Sequence, residues 1–301
     1  MNTVCLHGYS GGKDSTAQYL HYLDLGLSFQ VAFADTGNEH PATLEYVYEL
    51  PKRTGGPEIQ WVKADFSADI ERKRRFVEQK WPSNIVGRAL EVLHATGVPF
   101  LDLCLWKGRF PSMKSRFCTS ELKVIPIREQ VIDPILATGA EVYSCQGMRR
   151  DESLPRSKMA GLEHAGGKLW NLRPIREWKV EDVFAIHRRF GLKPNPLYSQ
   201  GMGRVGCMPC INCRKGELHE IARRFPEHID RIREWEEVMK SASKKGVSTF
   251  FPAPTVPGKG DTRARIDSAV SWAATSWGGR RFDLLKTIDP APCSSEYGLC
   301  E

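Results

Sequence analysis

The chain has 301 residues, 41% hydrophobic and 26% charged, a balance that excludes collagen-like, coiled-coil and wholly disordered proteins. No run approaches the roughly 20 apolar residues needed to span a bilayer, and the opening MNTVCLHGYSGGKDS lacks the basic flank and apolar core of a signal peptide, so a cytoplasmic protein without a membrane partner is expected. Lys and Arg number 43 against 36 Asp and Glu, a net charge of +7, and the clusters Arg72-Lys73-Arg74-Arg75, Lys107 with Arg109, Lys114 and Arg116, and Arg149-Arg150 point to an anionic partner, either nucleotide phosphate or a nucleic-acid backbone.

Thr3 to His7 is a short apolar run that predicts a strand, followed by a glycine-rich turn and a helix from Asp14 to about Leu25. Phe29 to Ala34 predicts a second strand ending in Asp35-Thr36-Gly37, then a helix from Pro41 to Leu50 and a third strand at Ile59 to Lys63. Strand-turn-helix units repeated in this way imply a mainly parallel sheet covered by helices. Residues 67 to 118 read as a helical, basic excursion with breaks at Trp81-Pro82 and Phe110-Pro111. A further strand is expected at Glu141 to Gln146, an amphipathic helix at Lys179 to Phe190, and a turn at Asn195-Pro196. A cysteine-rich loop then leads to helices at about Glu217 to Arg224 and Glu227 to Ser241. The stretch 246–262 carries several Pro and Gly and reads as a surface linker, before a helix near Arg263 to Trp277 and a tail ending CSSEYGLCE. The expected organisation is a nucleotide-binding α/β domain over 1–200, a cysteine-rich loop with helices over 201–245, and a linker with C-terminal arm over 246–301.

The sharpest motif is Ser10-Gly11-Gly12-Lys13-Asp14-Ser15, between a predicted strand and a predicted helix. Glycines let a backbone wrap an anion and aim successive N–H groups at it. The helix N-terminus adds its dipole, Lys13 a point charge, and Asp14 a carboxylate able to carry Mg²⁺. The loop is too short for the Walker pattern.

SGGKDS resembles the pyrophosphate (PP) loop of N-type ATP pyrophosphatases. Asp35-Thr36-Gly37-Asn38-Glu39-His40-Pro41, Arg116-Phe117-Cys118 with Lys123 and Pro126, Gly147-x-Arg149 with Glu152-Ser153, Pro174-Ile175 with Trp178, Asn195-Pro196-Leu197-Tyr198 and Gly206-Cys207 are similar, in order, to segments of the phosphoadenosine phosphosulfate (PAPS) reductase family. The resemblance implies a doubly wound α/β fold of the adenine nucleotide alpha hydrolase type. It implies ATP, or PAPS or its unphosphorylated counterpart APS, bound with Mg²⁺ by Ser10, Gly11, Gly12, Lys13, Asp14, Ser15, Asp35, Arg149 and Glu152. In the family pattern PAPS reductases have lost the lysine-aspartate pair of this loop, and here Lys13 and Asp14 are intact. That favours adenylation with release of pyrophosphate, followed by sulfur transfer onto a nucleic acid with sulfur from a donor protein, as in the related enzymes of DNA phosphorothioation and tRNA thiolation. Two other readings stand beside it: a sulfonucleotide reductase that uses a tail thiol and thioredoxin, and a nucleotide-binding regulatory module that senses redox state.

Nine cysteines in a chain read as cytoplasmic point away from disulfides and toward metal or redox chemistry. Cys207, Cys210 and Cys213 recur at three-residue spacing, which suits an iron–sulfur cluster or a zinc site, with metal-free thiols as the third alternative. By resemblance, Cys118 matches the first cysteine of a paired motif in cluster-bearing adenylyl-sulfate reductases, while Thr119 stands at the second. The resulting metal set is Cys118, Cys207, Cys210 and Cys213, holding a 4Fe–4S cluster, with Cys293 or Cys300 as substitutes. Glu296-Tyr297-Gly298-Leu299-Cys300 resembles the reductase tail, in which a cysteine takes the sulfonate. Tyr297 stands at that position, so Cys300 or Cys293 would act in its place. Cys5, Cys104 and Cys145 are expected in the core, and the eight histidines show no ligand spacing.

Overall fold

A computed structural model describes residues 2–251 and 265–276. Six strands form one sheet in the order β3-β2-β1-β4-β6-β5: β1 Thr3–Tyr9, β2 Gln30–Asp35, β3 Ile59–Lys63, β4 Glu141–Gln146, β5 Leu162–Gly166 and β6 Leu169–Leu172. All neighbours are parallel except the β5–β6 pair. Val31, Ala32, Phe33 and Ala34 in β2 are buried on both faces of the sheet, the near-continuous apolar run expected of a parallel strand covered twice. The sheet is the doubly wound α/β architecture inferred from the sequence.

Strand order reverses between β1, which continues to β2 and β3, and β4 on its other side. In such sheets the crevice beyond the carboxyl ends of the strands at this switch point is where ligands bind. Helix α1 (Lys13–Asp24) leaves β1 directly into that crevice, and α2 (Pro41–Thr54) follows β2. One core layer joins Tyr19, Leu20, Val47 and Leu50 of these helices to Val31 and Phe33. On the opposite face Leu6, Ala32, Val62 and Val142 pack against Val131 and Ile132.

The excursion after β3 forms α3 (Ser67–Lys80), α4 (Ser83–Val92) and α5 (Pro99–Lys107), with the α3–α4 break at the Trp81-Pro82 pair. These helices share a second core with the helices Lys215–Arg224, Pro226–Ala242 and Ile266–Ala273. Phe250, at the start of the stretch read as a surface linker, is instead buried in this core, 5.9 Å from Phe100 and 5.4 Å from Phe110 between ring centres. The Glu236 carboxylate accepts the N–H groups of both Phe250 and Ile266, at 2.8 and 3.0 Å.

Two elements depart from the sequence-based reading. The helical segment 117–137, of which all but the first two residues lie beyond the excursion read from the sequence, has widened π turns at Ser120–Val124 and Arg128–Ile132. Each widened turn precedes a proline, Pro126 or Pro134, whose missing N–H would interrupt a regular α-helix. The β5–β6 hairpin was also not foreseen, because β5 is exposed along its whole length and carries no buried alternation to betray it. Among the described residues no helix is long and apolar enough to cross a membrane.

Candidate functional site

The segment Ser10–Ser15 turns tightly between β1 and α1. Gly11 has φ of +72°, and a Cβ there would meet Thr43 Cγ2 at 2.8 Å, so only glycine lets the loop lie against α2. The Ser15 hydroxyl donates to Gly12 O at 3.0 Å and accepts both the Ser10 hydroxyl at 3.0 Å and the Ser10 N–H at 3.3 Å. Beneath the loop His7 is fully buried; its Nε2–H donates to Ser15 O at 2.9 Å and its Nδ1 accepts from Gln18 at 2.7 Å. Burial pulls the His7 pKa down to about 4, so the ring is neutral at pH 7.

Two chain-distant groups close the loop. Asn195 Nδ2 donates to Gly11 O at 3.3 Å, and the Lys13 N–H donates to the Tyr198 hydroxyl at 2.9 Å. Sequence reasoning placed both residues in a family segment without a role; no local pattern announces a contact to the loop.

Above the loop a chain of charges forms. Asp14 accepts from Lys13 Nζ at 2.9 Å and from Arg149 Nε at 2.6 Å, and Arg149 Nη1 also binds Asp151 at 2.6 Å. The Arg149 side chain is 5% exposed. Gly147, just after β4, explains the approach: a Cβ there would sit 3.0 Å from Ser15 Cα and 3.1 Å from Asp14 O, so a side chain would press on the loop backbone. Arg149, not Arg150, faces the loop; Arg150 pairs with Glu177 at 2.9 Å on the surface. Glu152 turns to the Arg149 N–H and the Arg156 guanidinium, and Asp35 accepts the Gly37 N–H at 2.9 Å at the end of β2. The structure thus brings Ser10, Gly11, Gly12, Lys13, Asp14, Ser15 and Arg149 together, with Asp35 on the neighbouring strand end and Glu152 behind Arg149.

The cysteine-rich loop is stitched to the segment after β2. Met208 N–H donates to Asn38 O at 2.7 Å, Asn38 Nδ2 donates to Pro209 O at 3.1 Å, and Cys207 pairs with Glu39 in an isolated bridge. Cys207 Sγ lies 3.4 Å from Thr36 Oγ1 and 3.7 Å from Glu39 Oε1. Cys210 interacts electrostatically with Cys118, Cys207 and Cys213, although no three of these four sulfur atoms lie within 4.8 Å of one another. Burial pushes Cys207 up to about 12 and raises Cys118 and Cys213, so these thiols keep their protons unless a cation replaces them. Lys123 and Arg204 face the same group, and Cys207 with Glu39 raises the Lys123 pKa against the opposing effect of burial. Half-buried soft sulfur donors with cations around them suit a thiolate-bound metal or cluster, whose net negative charge Lys123 and Arg204 would offset. Cys104 and Cys145 are fully buried, as expected, and Cys5 is half-buried. Cys293, Cys300 and Tyr297 lie outside the described residues.

One metal-capable group was hidden by sequence distance: His40, Glu227 and His228, whose ligand atoms lie within 4.8 Å of one another, the one group so close among the described residues. Its chemistry disfavours a cation. His40 Nδ1 accepts the Ala42 N–H to cap α2 at 3.0 Å, which leaves the proton of the neutral ring on Nε2. The Arg231 guanidinium stands 2.9 Å from His228 Nδ1.

The phosphoadenosine phosphosulfate reductase domain model matches residues 5–213. The 37.8 kDa protein of the gpa 5′ region of Escherichia phage 186 is 45% identical, over 100% of this chain and 97% of its own length. An adenosine 5′-phosphosulfate reductase of Streptomyces coelicolor is 39% identical over 31% of this chain and 37% of its own. Among solved structures, the phosphate complex of a PAPS reductase from Candida auris aligns with a TM-score of 0.41 and 15% identity, covering 67% of this chain and 80% of that one.

Proposed function

The chain belongs to the phosphoadenosine phosphosulfate reductase domain family, and from that membership we propose an enzyme that adenylates its acceptor with ATP, releases pyrophosphate and couples this step to sulfur transfer onto a nucleic acid. The observation that carries the proposal is the joining of Lys13 and Arg149 through Asp14 at the carboxyl ends of β1 and β4. A site for a preformed sulfonucleotide needs only to hold phosphate, whereas a pyrophosphate leaving group needs cations and a Mg²⁺-binding carboxylate at the point where charge develops. In this scheme an acceptor oxygen bonds to the α-phosphorus as the α–β anhydride breaks. The loop N–H groups and Lys13 would hold the departing pyrophosphate, Arg149 would take a second set of its oxygens, and Asp14 would hold Mg²⁺.

Cys118, Cys207, Cys210 and Cys213 would hold the metal group, a 4Fe–4S cluster rather than zinc. Such a cluster supplies soft iron sites on which sulfur can be carried or electrons exchanged. Glu39 and Thr36 would orient Cys207, and Lys123 would offset the negative charge of the bound group. Tail thiols, Cys300 foremost, assist the transfer.

The test is pyrophosphate release from ATP–Mg²⁺ by the anaerobically purified chain, in parallel with incubation with PAPS. Release by the parent and its loss in Lys13→Ala, with Cys300→Ser releasing at the parental rate, are the expected results. A protein-bound thiosulfonate on Cys293 or Cys300 after PAPS, seen by mass spectrometry, overturns the proposal in favour of the reductase. Nucleotide binding without any turnover leaves the regulatory module.

A further inference from the structure

Of the basic clusters in this sequence, the one inside α3 and the one that follows α5 look alike on paper and differ in the fold. In the first, Arg72 pairs with Asp69, Lys73 Nζ donates to Leu105 O at 2.6 Å, and Arg74 donates to the carbonyls of Leu90 and Leu93 at 2.5 and 3.2 Å. Lys73 and Arg74 tie α3 to α5 and α4, while Arg72 and Arg75 stay on the surface. In the second, only Lys107 has an acid, Glu121 at 2.7 Å. Arg109, Lys114 and Arg116 are exposed and have no carboxylate partner among the described residues.

These three cations sit on a tip closed by backbone hydrogen bonds. Ser112 and Ser115 exchange two backbone hydrogen bonds, at 3.1 and 3.0 Å, and the turn between them presents Met113, 72% exposed, beside Lys114. Phe110 and Pro111 are buried and root the turn in the helical core. Arg109 is held by the Ser115 hydroxyl at 3.1 Å and lies 5.5 Å from the centre of the Phe117 ring. The chain then passes directly from Arg116 through Phe117 to Cys118, one of the thiols grouped with Cys210.

We infer that this tip, Arg109 to Arg116, is the docking surface for the phosphodiester backbone of single-stranded nucleic acid, which it guides toward the thiol group. A guanidinium braced on an aromatic ring and two neighbouring cations match phosphate oxygens, each contact being nearly point-like. A protein partner would need about 800 Å² of complementary surface on each side, more than one short polar turn presents. The inference rests on the nucleic-acid acceptor of the proposed function and deepens it.

The experiment is fluorescence anisotropy with the full chain, purified anaerobically, and labelled single-stranded DNA and RNA of about 20 nucleotides, titrated over a range of salt. Each phosphate contact on a single strand contributes about 0.7 to the slope of log K against log salt, so the Arg109→Ala, Lys114→Ala, Arg116→Ala triple variant should lower that slope by about 2. Its affinity at low salt should fall at least about 10-fold, while Arg72→Ala with Arg75→Ala changes neither quantity. Metal content and thermal melting of the triple variant report that it is folded. An unchanged slope, no oligonucleotide binding by the parent chain, or displacement of the oligonucleotide by polyglutamate at equal charge concentration overturns the inference, the last pointing to an acidic protein. Failure of the parent to release pyrophosphate, with tip-dependent oligonucleotide binding intact, would instead count against the adenylation chemistry alone.

Discussion

Tyr198 and Lys13 stand 185 residues apart in the chain and meet in one hydrogen bond of 2.9 Å, from the Lys13 N–H to the Tyr198 hydroxyl. Tyr198 is buried in the short turn Pro196–Tyr198, whose first neighbour Asn195 also holds the loop through Gly11 O. The same segment continues to Cys207, so the stretch of chain that brings Cys207 beside Thr36 and Glu39 also shapes the loop Ser10–Ser15. Tyr198→Phe removes the acceptor and keeps the ring that lies 5.5 Å from Lys13 Nζ. Leaving a buried N–H without its partner costs about 1–3 kcal/mol. The variant should unfold at lower urea and bind inorganic pyrophosphate more weakly; parental values in both assays would mean the hydroxyl does not shape the loop.

Asp151 pairs with the guanidinium to which the proposed function assigns phosphate. Its two oxygens take Arg149 Nη1 at 2.6 and 2.7 Å, and its own side chain is 44% exposed. A half-exposed ion pair is worth at most about 1 kcal/mol, so Asp151→Asn should tighten pyrophosphate binding by a few-fold, up to about 5. Calorimetric titration of the two proteins measures this directly. Weaker binding in the variant would place Asp151 among the groups that assist the ligand, through a bound Mg²⁺ for example.

His7 makes the fold sensitive to acid. Its pKa is about 4 in the folded chain against an ordinary 6.5, so the unfolded chain takes up the proton first. The neutral ring's contribution is therefore complete above pH 6.5 and is lost as the pH falls toward 4. The full difference corresponds to roughly 3 kcal/mol. Urea unfolding at pH 7.5 and pH 4.5 should show the loss, and His7→Gln should flatten the dependence. An equally steep profile in the variant would assign the loss to other groups, among them His228, also held near 4 by burial and Arg231.

The thiol group should bind iron. Anaerobically purified protein is expected to be brown, with broad absorbance near about 400 nm. Cys210→Ala and Cys207→Ala should abolish the colour, while Cys5→Ala, on β1, should retain it. Stoichiometric zinc in colourless protein would identify a structural site instead.

The phosphate loop, the strands β1 to β4 and the helices α1 and α2 were legible in the sequence because their signals are local. A strand's apolar run, a glycine at the turn and a lysine at a helix start lie within a few residues of one another. The same locality explains what was missed. Pro126 and Pro134 each lack the N–H a regular helix uses, yet widened turns absorb them within 117–137. Phe250 sits in a Pro- and Gly-rich stretch and nevertheless fills the space beside Phe100 and Phe110. Which cations remain available was equally invisible: Lys73 and Arg74 are held by carbonyls of other helices, whereas Arg109, Lys114 and Arg116 face solvent. The sequence by itself determined the chemical inventory and the parallel strands β1 to β4 of the sheet, with its first two helices. Only the tertiary structure decided that Tyr198 closes the loop, that Arg149 rather than Arg150 meets Asp14, and that Lys123 and Glu39 surround Cys207. Backbone preference and hydrophobic period act along the chain, while burial and hydrogen-bond satisfaction select contacts across it.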